Sequence, residues 1–193
     1  MLTLFYALNT CSLASHIALE DSGAAYDAKR LNFADNDQRK SEYLKINPKG
    51  RVPALVTDQG ILTIAQSFPR ANLAPLNDPF RLGQIQSFNS YLCSTVHPAH
   101  AHRMRGYRWS DDEVAQESMK KKVPQKVGDC FDLIEREYFK GPWVMGADYT
   151  IADPYLFTIA RWLEADSVDP KRFPKVLDHR NRMAERPAVK KVL

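Results

Sequence analysis

An α/β layer followed by an all-α segment is the architecture this sequence predicts, and three observations carry it. Residues 2–63 alternate short apolar runs with helix-patterned ones in the order β-α-β-α-β-β, which suits a sheet packed against helices. Beyond about residue 78 the apolar residues recur at helical spacing. At 193 residues the chain can bury a real core and suits one large domain or two small ones. The expected division is 1–75 for the α/β domain and 79–193 for the helical one, with Leu76-Asn77-Asp78-Pro79 as linker.

The first strand is read at residues 2–7, LTLFYA, short, apolar and aromatic. Asn9, Thr10 and Ser12 precede an apolar pattern at Leu13, Ile17 and Ala18, and Gly23 closes it, so a helix has both its start and stop signals. YDAKRLNF, 26–33, reads as a second strand. A short helix around 41–46 ends at Asn47-Pro48, because the residue before a proline is pushed out of the helical region. VPALV (52–56) and ILT (61–63) are two more strands, joined by a hairpin-like turn at Asp58-Gln59-Gly60. Phe80, Ile85, Phe88, Leu92 and Val96 then mark a long helix. Ser110-Asp111-Asp112-Glu113 reads as a capping box opening a helix to about Phe139, with Pro124 a possible kink and Gly141-Pro142 its stop. Thr150-Ile151-Ala152-Asp153 is a second capping box, before PYLFTIARWLEA, and Phe173 to Arg186 gives the last helix.

Composition narrows the class. Hydrophobic residues make up 44% and charged ones 26%, as in an ordinary globular protein. The net charge of +4, with both signs mixed along the chain, argues against a nucleic-acid partner. No apolar run approaches the roughly 18 residues of a membrane span, and MLTLFYALNT lacks the marks of an export signal, so no membrane association is expected. Cys11, Cys93 and Cys130 form no short-spaced pair, which argues against a disulfide framework and for a reducing cytoplasm.

Chemistry concentrates at a few positions. Cys11 stands where a strand meets a helix N-terminus, whose unpaired N–H groups and dipole favour a thiolate. Val52-Pro53 precedes a strand, and an X-Pro bond is the common site of a cis peptide, which there presents the Val52 backbone to a bound peptide. Together with INPKGRVPAL, STVHPAHAHRMRGYRW and GPWVMGADYTIADPYLF, the Tyr6-to-Leu19 opening YALNTCSLASHIAL resembles the glutathione transferase superfamily, most of all its bacterial beta class. The resemblance covers nearly the whole chain. It implies a thioredoxin-like N-terminal domain that binds glutathione as co-substrate, an all-α C-terminal domain that shapes the pocket of a small electrophile, and a homodimer. By the same resemblance Cys11 faces the glutathione sulfur and can form a mixed disulfide with it. Ser12 offers a hydroxyl and a backbone N–H, Tyr6 lies near the site, Val52 beside Pro53 pairs its backbone with the cysteinyl part of glutathione, and His97 reaches the thiol.

Plainer readings stand beside these. Cys11 is alternatively an inert buried cysteine, Tyr6 a core residue of its strand, and Ser12 a helix cap. His97, His100 and His102 resemble a metal cluster, but on a helix 97 and 100 share a face that 102 leaves, so no metal is expected. Asp153 reads as a structural cap, Cys93 and Cys130 as core, the three tryptophans as core or pocket wall, and Lys120-Lys121-Lys122 as a solvated face.

The sequence also departs from the family. Where a lysine meeting a glutathione carboxylate is expected after the second strand, Ala34-Asp35-Asn36-Asp37 stands, with Arg39 or Lys40 as substitutes, and the usual first-turn proline is replaced by Ala7-Leu8-Asn9. After ILT the family begins a helix whose N-terminus holds the γ-glutamyl end of glutathione; here IAQSFPRANLAP follows at once, which looks like that helix's end. Ile64 to Phe68 is about one and a half turns, too short to cover a sheet face, so about ten residues are expected to be missing between Thr63 and Ile64. A non-catalytic binding or scaffold protein on the same fold, and a glutathione-dependent isomerase or dehalogenase, are the alternatives to conjugation or thiol–disulfide exchange.

Overall fold

The computed structural model describes residues 2–57 and 64–193. Among them a small mixed sheet has the order β2-β1-β3, from β1 (Leu2–Tyr6), β2 (Tyr26–Arg30) and β3 (Ala54–Val56). β2 runs parallel to β1 and β3 antiparallel to it. A parallel pair needs a crossover, and α1 (Ser12–Asp21) supplies it. Successive β1 side chains face opposite ways. Leu4 meets Leu19 of α1 and Leu55 on one face, while Phe5 meets Tyr43 of α2 (Ser41–Ile46), Val52 and Ala54 on the other.

The residual helix is α3 (Ile64–Ser67), four residues long, followed by a 3-10 turn at Pro69–Ala71. The expectation that such a fragment leaves a sheet face bare is corrected. Leu4 and Leu55 are 0% and 5% exposed, because Leu19 and Phe68 pack over them. The expected turn at 58–60, the strand at 61–63 and the seam between 63 and 64 lie outside the described residues.

The long helix of the second half is a continuous rod with one widened turn: α4 (Pro79–Tyr91), a π-helical turn at Leu92–Val96, and α5 (His97–Arg105). α6 (Glu113–Leu133) passes through Pro124 and ends in a second π turn, Ile134–Tyr138. Its cap is Asp112 and not Ser110: the Asp112 carboxylate accepts from the Val114 N–H at 2.9 Å, while Ser110 accepts from Asp112. A carboxylate is the stronger acceptor at the positive helix end, so the start shifts from the predicted box. α7 (Ala152–Ala160), α8 (Pro174–Ala184) and α9 (Pro187–Val192) follow. Phe88, Phe131, Ile134, Leu156 and Phe173 centre the helical core. Trp109, expected in core or pocket wall, is 49% exposed and meets the His102 ring in a T-shaped contact.

The two halves meet along α1. Ile17 packs with Phe157, Met183 and Val189. At the far end of the helix Asp21 accepts from the Tyr149 hydroxyl and from Arg186 at 2.8 Å, and Arg186 lies 3.6 Å over the Tyr149 ring.

Candidate active site

Cys11 is the N-cap residue of α1, held there by the turn before it. Asn9 takes the left-handed conformation, φ 56°, that asparagine tolerates better than most residues. The Ser12 hydroxyl donates to the Ala7 carbonyl at 3.0 Å and accepts from the Ala7 N–H at 3.1 Å. Thr10 adds a hydroxyl contact of 2.7 Å to Ser12 and accepts the Ser12 N–H at 3.2 Å. Ser12 is therefore fully buried and committed to the strand-to-helix turn, with neither its hydroxyl nor its N–H directed outward.

The NPKGRVPAL run is folded by Asn47. Its side chain donates to the Arg51 carbonyl at 2.8 Å and accepts from Lys49, and the Tyr43 hydroxyl reaches the same carbonyl at 2.6 Å. Gly50 sits at φ +58°, where a Cβ would meet the Gln38 carbonyl at 2.9 Å, so only glycine fits the turn. This loop delivers Val52 to the thiol: Cys11 Sγ donates to the Val52 carbonyl at 3.6 Å, and the Val52-Pro53 bond is cis. Val52 is buried and Pro53 exposed.

The expectation of a favoured thiolate is corrected. Burial pushes the Cys11 thiol up from its ordinary value; Arg105, the backbone N–H at the helix start and Arg51 pull it down without overcoming burial, and Cys93 adds to the rise. His97 opens α5 behind the π turn. Burial above all, with His100, Arg105, Arg108 and Arg51, holds it down to about 4. Among the described residues no hydrogen bond joins His97 to Cys11; the two share the fields of Arg105 and Arg51. Tyr6 turns to the α1 face, its ring 4.8 Å from His16, and so belongs to the packing behind Cys11.

Several residues here were missed or misread from the sequence. Tyr155 on α7 feels both Cys93 and Cys11; with burial as the main cause its hydroxyl is pushed up. Cys93, expected in the core, is exposed, because it rides the π turn that rotates the rod ahead of His97, whereas Cys130 is buried as expected. Arg51 stands inside the NPKGRVPAL run without a local signal of its own, and nothing in the spacing of Arg105 points to the thiol. Lys40, a candidate for the missing lysine, pairs instead with Asp37 at 2.7 Å.

A thiol at the start of the first helix of a thioredoxin-like layer, facing a Val-Pro loop and covered by a helical half, defines a class of glutathione-dependent folds. The model of the glutathione S-transferase N-terminal domain matches residues 1–68 and that of the glutathione S-transferase C-terminal domain residues 99–193. The chain is 31% identical over 201 residues to glutathione S-transferase GstA of Escherichia coli O157:H7, covering 98% of this chain and 96% of that one. A glutathione transferase homolog from Sulfitobacter, solved with bound glutathione, superposes with a TM-score of 0.94 at 41% identity, over 100% of this chain and 96% of that chain. The bacterial beta-class enzyme of Sphingomonas chungbukensis gives 0.84 at 30% identity, over 99% and 96%. The chain belongs to the glutathione S-transferase family.

Proposed function

We propose that Cys11 and the Val52 backbone form the glutathione site of a glutathione transferase, which joins the glutathione sulfur to small electrophiles and exchanges disulfides through Cys11. The observation that carries this is the 3.6 Å contact between Cys11 Sγ and the Val52 carbonyl, which sets a thiol beside a backbone segment suited to strand addition by a peptide. The relatives named above, one of them holding glutathione, support glutathione as co-substrate. Ser12 and Tyr6 serve the site from behind, Ser12 by fixing the turn and Tyr6 by packing α1 against the sheet.

In conjugation the glutathione sulfur attacks an electrophilic carbon, the leaving group departs with its electron pair, and the thiol proton passes to a base. His97, held neutral above about pH 4, has a lone pair free for that proton. In exchange the Cys11 thiolate attacks a glutathione disulfide, forms the mixed disulfide and releases one glutathione thiolate; a second glutathione reverses the step. A homodimer is part of the same reading, and Phe80 on α4, 77% exposed, is a candidate contact for it. No described helix is long and apolar enough to cross a membrane.

Retention on immobilised glutathione and turnover of 1-chloro-2,4-dinitrobenzene test the proposal. The protein is expected to be retained and to turn over, and Cys11→Ala to lose disulfide exchange and weaken conjugation. Retention, exchange and turnover all unchanged in Cys11→Ala would remove Cys11 from the site.

A further inference from the structure

Two ladders of side chains face each other behind His97. On α5, His97, His100 and Arg103 follow at intervals of three and lie along one side of the helix. Opposite them, in the turns after α7, stand Trp162 and Asp166. The Trp162 ring contacts both histidines, stacked on His100 at 4.3 Å and 22° and tilted against His97 at 5.2 Å, while the two imidazoles lie 6.5 Å apart. Asp166, 2% exposed, receives His100 Nδ1 on both carboxylate oxygens at 2.8 and 2.7 Å. Arg103 Nε lies 3.2 Å from one of those oxygens, near enough to balance its charge but off line for a hydrogen bond. The Asp166 backbone N–H in turn donates to the Trp162 and Leu163 carbonyls at 3.0 Å, which ties the carboxylate to the turn that presents the indole.

We infer that the His100–Asp166 pair is a positioning device that locks Trp162 against His97 and so fixes that half-buried ring at the catalytic cleft. The physical argument is one of freedom. A single imidazole at the first position of a helix has rotamers to spare, and only packing on a fixed wall selects one. Trp162 is the wall, and it is fixed because His100 stacks on it while bonded to a carboxylate that cannot move. A buried carboxylate keeps its partners tightly, because leaving it unpaired costs more than a surface pair returns. The groups facing His97 are His100 and Arg105 on its own helix, Arg108 in the turn after it, Arg51 from the loop before β3, and the Trp162 ring. Asp166 touches none of the reacting atoms, so its effect passes through His100 and Trp162.

The inference rests on the reading of His97 as the proton acceptor, but its first readout does not. NMR titration of the His97 ring in Asp166→Asn is expected to move its midpoint up by about one pH unit or more, toward the ordinary value, as the loosened ring reaches water. The acid limb of kcat should rise in pH with it, with the KM for glutathione unchanged. His100→Phe, which keeps a stacking ring and drops the donor, should behave as Asp166→Asn does, and serves where that variant fails to fold. An unmoved His97 midpoint in both Asp166→Asn and His100→Phe would overturn the inference. If the midpoint moves but kcat does not, the positioning stands and the role of His97 as base falls.

Discussion

Cys11 and His97 have both been moved toward their neutral forms, chiefly by burial, and each shift has a measurable sign. Alkylation of Cys11 in a Cys93→Ser background should follow a pH midpoint above that of an ordinary cysteine. Arg105→Ala should raise it further, because Arg105 is the strongest of the influences lowering it. A midpoint at or below the ordinary value would show that the helix start outweighs burial. For His97 the folded value lies at about 4, below the 6.5 of the unfolded chain. The unfolded chain therefore takes up more protons across that window, and stability falls as pH drops from about 6.5 to about 4. His97→Gln should lessen the loss between pH 7 and pH 5 in thermal melts; an identical loss would contradict the shift. Cys11 and His97 were legible as candidates, because motif and residue type coincide there. The sign of the Cys11 shift was not, since a helix start is visible in sequence while the burial that opposes it is a tertiary fact.

At the scale of elements, helix ends carry the design. Asp153 is fully buried and its carboxylate accepts from the Thr150 N–H at 2.7 Å, the Val144 N–H at 2.9 Å and His179 Nε2 at 3.0 Å. It thus works as a cap and as a bolt between α7 and α8, and Asp153→Ala should cost about 3 kcal/mol or more by denaturant melts, since it strands several buried donors. Ser12→Ala removes the hydroxyl that closes the Ala7 turn and should cost about 1–2 kcal/mol. A loss of only a few tenths would mean that Thr10 holds the turn alone. The helices were legible in sequence because their apolar spacing and stop signals agree. The Asp112 cap was misassigned by two residues because serine and aspartate both suit an N-cap, and only the geometry decides between them. The four-residue α3 was read for its length, but not for the cover that Phe68 and Leu19 give the sheet.

For the molecule as a whole, α1 is the shared element: it starts at the thiol and ends in the latch of Asp21, Tyr149 and Arg186. Arg186→Ala should lower stability by about 1–2 kcal/mol, its partial exposure screening the rest, and should raise amide exchange along α1. Exchange confined to α9 would mean that the halves are held by the apolar contacts of Ile17 alone. The two-part architecture could be read from the change in periodicity near residue 78, whereas this latch joins residues 165 positions apart and left no local signal. The measurement closest to the central claim is the intact mass of the protein after exposure to glutathione disulfide, with Cys93 and Cys130 replaced by serine. One glutathione added per chain, removed by excess glutathione and absent in Cys11→Ala, is the predicted result. No adduct on the parent protein, or the same adduct in Cys11→Ala, would contradict a Cys11 thiol facing the glutathione sulfur.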